Sequence, residues 1–281
     1  VKTVRSVAAL RSEIRNAKRR GKTIGFVPTM GALHAGHLKL IQTARRRNDL
    51  VVVSLFVNPI QFNNPKDLKS YPRTGQRDRI LARAAGADLL FIPSVRALYP
   101  DGFQTFVEVT RLSKRWEGAA RPGHFQGVAT VVAKLFNLVQ PTEAYFGRKD
   151  AQQARLVRQM VLDLNFPVRV RALGTVRESG GLALSSRNRR LSPGGRRLAG
   201  QLHAALQEGR GLIKWGFRRP ERVIARMRRR VSSKRIRIEY LAIVDPGTLE
   251  PVRRITGPVW LLGAVRIEGV RLIDNLTCSA P

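Results

Sequence analysis

Residues 24–27 and 50–57 are apolar at nearly every position. A strand with one wet face alternates apolar and polar residues, so these unbroken runs predict strands covered on both faces, as in a parallel sheet. Between them, Leu38, Ile41 and Ala44 recur at helical spacing and predict a helix over 38–47, completing a β-α-β unit. Further strands are predicted at 88–92, 144–146 and 168–173, and further helices at 76–85, 127–139 and 151–164. This alternation points to an α/β fold: a doubly wound parallel sheet with its ligand crevice at the carboxyl ends of the strands.

The pattern changes near residue 175. A polar, glycine-containing loop is expected over 175–190, then helices at 194–214 and 220–231. In the second helix Val223, Ile224, Met227 and Val231 form the apolar stripe, while Arg222, Arg226 and Arg229 face away. Short strand-like runs at 237–244, 259–266 and 271–277 predict a small sheet. The expected organisation is therefore a domain over 1–175 and a smaller α+β domain over 176–281.

Composition narrows the class. No apolar run approaches the roughly 18 residues of a membrane span, and residues 1–20 lack the apolar core of a signal peptide. A single cysteine, Cys278, excludes an internal disulfide and any multi-cysteine metal site. A soluble cytoplasmic protein is expected. Charge adds a second expectation: 52 Lys and Arg against 19 Asp and Glu give a formal +33. Such an excess attracts polyanions. Yet the basic clusters at 18–20, 45–47 and 226–230 are scattered, and aromatics, 6% of residues, do not interleave with them. Solvated basic helix faces account for this better than a dedicated nucleic-acid site.

Four segments carry candidate chemistry. Pro28-Thr29-Met30-Gly31-Ala32-Leu33-His34-Ala35-Gly36-His37 leaves the first buried strand and enters a helix. Helix N-terminal amides favour anions there, and two imidazoles can hydrogen-bond phosphate oxygens as negative charge builds. Phe146-Gly147-Arg148-Lys149-Asp150-Ala151-Gln152-Gln153 makes a second strand-to-helix turn. Its Lys149 can hold phosphate, Asp150 can accept from ribose hydroxyls, and Gln153 can address a small polar acid. Leu184-Ser185-Ser186-Arg187, preceded by Gly180-Gly181, fits a glycine-hinged clamp on triphosphate. Asn58 and Gln61 follow the second strand, where a doubly wound sheet presents ligand contacts. Gly21-Lys22-Thr23 ends like a phosphate-binding loop, but Asn16 stands where that motif needs glycine, and a strand follows instead of a helix.

In this order and at these separations, the segments resemble the pantothenate synthetase family. The likeness extends through Tyr71-Pro72-Arg73, Tyr99-Pro100-Asp101-Gly102-Phe103, Arg121-Pro122-Gly123-His124-Phe125, Thr175-Val176-Arg177-Glu178 and Leu272-Ile273-Asp274-Asn275. The resemblance implies a Rossmann-like nucleotidyltransferase domain with a C-terminal lid domain. It also implies a homodimer that uses ATP and Mg²⁺ to make pantoyl adenylate, which β-alanine then attacks. By the same resemblance, residues 30–37 bind ATP and His37 donates a proton; Gln61 and Gln153 bind pantoate. Gly147, Arg148, Lys149, Asp150, the backbone of Val176, and Leu184, Ser185, Ser186 and Arg187 complete the ATP site. Asp78 matches a position associated with magnesium. Ala35, Arg148 and Gly180 stand where the family pattern usually has acidic residues. Two other readings use fewer of these residues: another H-x-G-H adenylyltransferase, and a basic nucleic-acid-binding protein on the same scaffold.

Overall fold

A computed structural model describes residues 1–231 and 233–280. The chain divides into two compact units, one made of Val1–Gly147 and Gln152–Gly174, the other of Arg148–Ala151 and Thr175–Pro281.

The first unit runs β1 (Lys2–Val4), α1 (Val7–Arg19), β2 (Ile24–Thr29), α2 (Ala35–Arg45), β3 (Leu50–Leu55), α3 (Pro65–Lys69), α4 (Gly75–Ala84), β4 (Leu89–Phe91), α5 (Val95–Leu98), α6 (Glu117–Ala120), α7 (His124–Val139), β5 (Glu143–Gly147), α8 (Ala151–Asp163, its first residue assigned to the second unit) and β6 (Arg169–Leu173). The strands form one sheet in the order β1-β4-β3-β2-β5-β6, parallel throughout. This is the expected doubly wound, Rossmann-like sheet. Its apolar runs are explained by two separate cores. Ile24, Phe26, Val52 and Phe91 pack with α1, α7 and α8, whereas Val27, Val51, Val53 and Leu90 pack with α2 and α4. Successive apolar residues of β2 and β3 thus feed opposite cores, and the polar residues of these two strands, Thr29 and Ser54, are themselves buried.

The sequence reading missed β1 and α1. The strand has three residues, too few to show a period, and pairs with β4 far along the chain. The helix buries only Leu10, Ile14 and Ala17 beneath a basic face, and Ser6 caps it by accepting from the Ala9 N–H. At the amino end of β5, Glu143 is buried among Arg47, Arg169, Arg171 and Tyr145. Burial by itself would raise this carboxyl, but hydrogen bonds from Tyr145, Arg47 and Arg171 hold it at about 2. In a parallel sheet that end lies opposite the carboxyl ends where ligands bind, so the cluster is structural.

The second unit holds α9 (Pro193–Lys214), α10 (Pro220–Arg230) and the antiparallel sheet β7 (Ile236–Val244), β8 (Pro258–Ile267) and β9 (Val270–Ser279). Val223, Met227 and Val231 are buried as the periodicity predicts, and Arg222, Arg226 and Arg229 are exposed. Among the described residues, no helix is long and apolar enough to cross a membrane.

Candidate active site

Within the first unit, β3 and β5 lie on either side of β2. The chain therefore turns to opposite sides of the sheet at the carboxyl ends of β2 and β5, the switch point where such sheets bind ligands. The first histidine segment leaves β2 there. His34 is the N-cap of α2, and its Nδ1 accepts from the Gly36 N–H at 3.1 Å; His37 Nδ1 takes the His34 N–H in a longer return bond of 3.4 Å. A nitrogen that accepts carries no hydrogen, so each neutral ring bears its hydrogen on Nε2, a donor suited to a phosphate oxygen. The ring centroids lie 4.1 Å apart. Gly36 makes this possible, because a Cβ there would stand 2.9 Å from the His34 ring.

The preceding residues are pinned from α4. Gly31 and Ala32 both have positive φ, 78° and 50°, and turn their neighbours' N–H groups inward. The Asp78 carboxylate accepts from the Ala32 and Leu33 N–H groups at 2.9 and 2.8 Å and from the Thr74 hydroxyl, and the residue is 2% exposed. The Asp78 carboxylate thus holds the histidine loop in place. Its oxygens are already engaged in holding the loop, and among the described residues no three His, Cys, Asp or Glu side chains gather as a metal site. The association of Asp78 with magnesium stands as a proposal from the family resemblance.

Asn58 and Gln61 are both buried and share one network. Asn58 Nδ2 donates to Gln61 Oε1 and to the Gly127 carbonyl, both at 3.0 Å, while the Tyr99 hydroxyl donates to Asn58 Oδ1 at 2.8 Å. Burial pushes the Tyr99 phenol up, so it remains a donor. Gln61 Nε2 approaches the Met30 sulfur at 3.1 Å, linking this segment to the histidine loop. The Gln61 carbonyl accepts from His124 Nδ1 at 2.9 Å, and Arg121 donates to His124 Nε2 at 3.1 Å, which fixes the opposite tautomer from that of His34 and His37. A Cβ on Gly127 would lie 2.5 Å from the Ile60 carbonyl oxygen, so α7 can approach only as glycine. Arg121, His124 and Tyr99 were visible in the sequence as family-like motifs but not as parts of this network. Two of the chain's four histidines lying outside the H-x-G-H pair was the available signal.

Gln152 and Gln153 separate cleanly. Gln152 is buried, donating to the Leu112 and Arg115 carbonyls and accepting from the Glu117 N–H, whereas Gln153 is half-buried. Gln152 thus has a structural role, while the half-buried Gln153 is the residue nominated for pantoate.

In the second unit, Arg148–Asp150 is a single 3-10 turn, and Lys149 Nζ lies 3.3 Å from Asp150 Oδ1. The expected glycine-hinged loop is instead a tight hairpin. Arg177 bridges Ala183, the Leu184 N–H donates to the Val176 carbonyl at 2.9 Å, and Arg177 Nη1 reaches the Gly181 carbonyl at 2.9 Å. Ser185 caps the following turn, Ser186–Arg190, by accepting from the Arg187 N–H. Asn188 ties turn to hairpin through Glu178 and the Ala183 carbonyl. Beneath the hairpin Asp274 pairs with Arg177 at 2.6 and 2.9 Å and lies 3.4 Å from His203 Nδ1. Burial would raise the Asp274 carboxyl, but the adjacent His203 and Arg177 side chains hold it below the usual range.

A model of the pantoate-β-alanine ligase family matches residues 2–277. The chain belongs to that family. A pantothenate synthetase of Moorella thermoacetica is 50% identical over 274 residues, 97% of each chain. The crystal structure of pantothenate synthetase from Thermus thermophilus superposes with a TM-score of 0.93 at 49% identity, covering 98% of this chain and 99% of the other. A pantoate-β-alanine ligase from Francisella tularensis, complexed with β-γ ATP and β-alanine, has a TM-score of 0.81 at 35% identity, covering 98% and 97%. Membership makes the chain a ligase that joins pantoate to β-alanine.

Proposed function

We propose that the chain carries out this ligation in two steps, with the named segments in the roles their geometry favours. The observation that carries the reading is the pair of imidazoles whose Nδ1 atoms are committed to main-chain N–H groups. Pantoate's carboxylate is a poor electrophile and repels the triphosphate. One of its oxygens attacks the α-phosphorus, the bond to the β-phosphate oxygen breaks, and pyrophosphate leaves. The Nε2–H groups of His34 and His37, with Lys149 and Arg187, offset the charge that gathers in that step. The amine of β-alanine then attacks the acyl carbon, loses a proton and expels AMP. No side-chain nucleophile is required.

Gln61, Asn58 and Gln153 are assigned to pantoate, because neutral amides orient a small acid without drawing its carboxylate from the phosphorus. The main chain of residues 30–37, of Gly147 to Asp150 and of Val176, with Leu184, Ser185 and Ser186, is assigned to ATP. Magnesium and a homodimer belong to the proposal on the family resemblance alone, and no step is routed through the ion. The test is a coupled assay for AMP. Formation that requires ATP, pantoate and β-alanine together supports the reading, whereas a product that retains AMP, or AMP formed without β-alanine, contradicts it.

A further inference from the structure

We propose that Asp274 and Asn275, neighbours in β9, are the positioning residues for the ATP-binding segments of the second unit. The proposal rests on the assignment of the Lys149 turn and the Ser185–Arg187 segment to ATP. Both residues are buried, at 5% and 8% exposure, deep in a strand whose register places them opposite Gly263 and Leu262. Successive side chains leave a strand on opposite faces, so this dipeptide can address two segments at once.

Each side chain takes one segment. Asp274 grips the Arg177 guanidinium through two bonds, and the same Arg177 donates to the Gly181 carbonyl, so the carboxylate fixes both strands of the hairpin that leads into Ser185. Asn275 uses its amide differently. Nδ2 donates to the Arg148 carbonyl at 2.8 Å and to the Lys149 carbonyl at 2.9 Å, two successive acceptors met by one NH2 group. Fixing those carbonyls fixes where the Lys149 side chain starts. The Asn275 N–H in turn donates to Asp274 Oδ1, so the two grips form one connected unit. Neither side chain needs to touch nucleotide; the pair acts through Lys149 and the hairpin.

Asn275→Asp is the discriminating variant, because it keeps the shape and replaces the two donated hydrogens with an oxygen facing two carbonyls. Full steady-state kinetics in all three substrates are measured for Asn275→Asp, Asn275→Ala, Lys149→Ala and the Asn275→Ala/Lys149→Ala double variant, alongside thermal unfolding. The expected result is an ATP KM raised about tenfold in both Asn275 variants, as two lost hydrogen bonds allow. KM for pantoate and β-alanine should stay within about twofold, and the double variant should be little worse than Lys149→Ala, since groups that act together are not additive. If Lys149→Ala raises the ATP KM and neither Asn275 variant does, the positioning role is overturned while the ATP assignment stands. If Lys149→Ala leaves the ATP KM unchanged, the assignment fails and the proposal fails with it. Should both Asn275 variants fail to fold, or weaken all three substrates equally, Asn275 is a structural residue and the proposal is likewise overturned.

Discussion

The loop after β2 and the turn after β5 both leave a parallel strand and enter a helix, yet their main chains are held by opposite chemistry. In the loop an acceptor does the holding: the Asp78 carboxylate takes the Ala32 and Leu33 N–H groups. In the turn a donor does it: the Asn275 amide gives its hydrogens to the Arg148 and Lys149 carbonyls. The difference follows from what each segment presents. The loop offers neutral imidazoles whose orientation depends on main-chain N–H groups, so the backbone must be fixed before the rings can be. The turn offers a flexible cation, Lys149, which needs only a fixed point of attachment. A demand for precise ring geometry should therefore make the first segment the more fragile of the two.

The largest effect is expected where that geometry is used directly. His37→Ala should lower adenylate formation by about 10²–10⁴ while leaving the fold intact, the usual cost of losing a positioned donor. It would be read as pyrophosphate release from ATP and pantoate; unchanged turnover would remove His37 from the chemistry. Asp78→Asn should come next. An amide cannot accept from both N–H groups as a carboxylate does, so a buried donor faces an NH2 group at a cost of about 1–3 kcal/mol. Activity should fall roughly ten- to a hundredfold, and raising the magnesium concentration should not restore it. Recovery with added magnesium would give Asp78 a metal-binding role and break the contrast between the two segments.

The same contrast explains what could be read from the sequence. His34, Gly36 and His37 are neighbours in the chain, so a pair of imidazoles at a strand-to-helix turn is visible without a structure. β2 and β3 were equally plain, because strands packed on both faces read as nearly unbroken apolar runs. The residues that hold the segments were not plain. Asp78 lies on α4, and Asn275 lies in β9, far along the chain from the turn it fixes. Their roles depend on long-range packing that no local spacing encodes. The hairpin at Arg177–Ala183 reads as a loop in the sequence for the same reason: its glycines signal freedom, while the bonds that remove that freedom come from Asn188 and Asp274.

The smallest effect on ligation is expected far from both segments. Arg222, Arg226 and Arg229 lie exposed on α10, and reversing all three to Glu should leave AMP formation unchanged while weakening binding to unrelated oligonucleotides. That binding should be nonspecific and should fall with salt at a log–log slope of about −0.9 per phosphate contacted on duplex DNA. Preference for one sequence that persists at high salt would point instead to a dedicated nucleic-acid site.

The most direct test of the account is a single-turnover measurement on the unaltered chain, with ATP and pantoate present and β-alanine withheld. The two-step scheme predicts that pyrophosphate is released to about one equivalent per active site and then stops, with AMP appearing only when β-alanine is added. Pyrophosphate release that requires β-alanine from the first turnover would contradict an adenylate intermediate, and with it the role of the paired imidazoles in forming one.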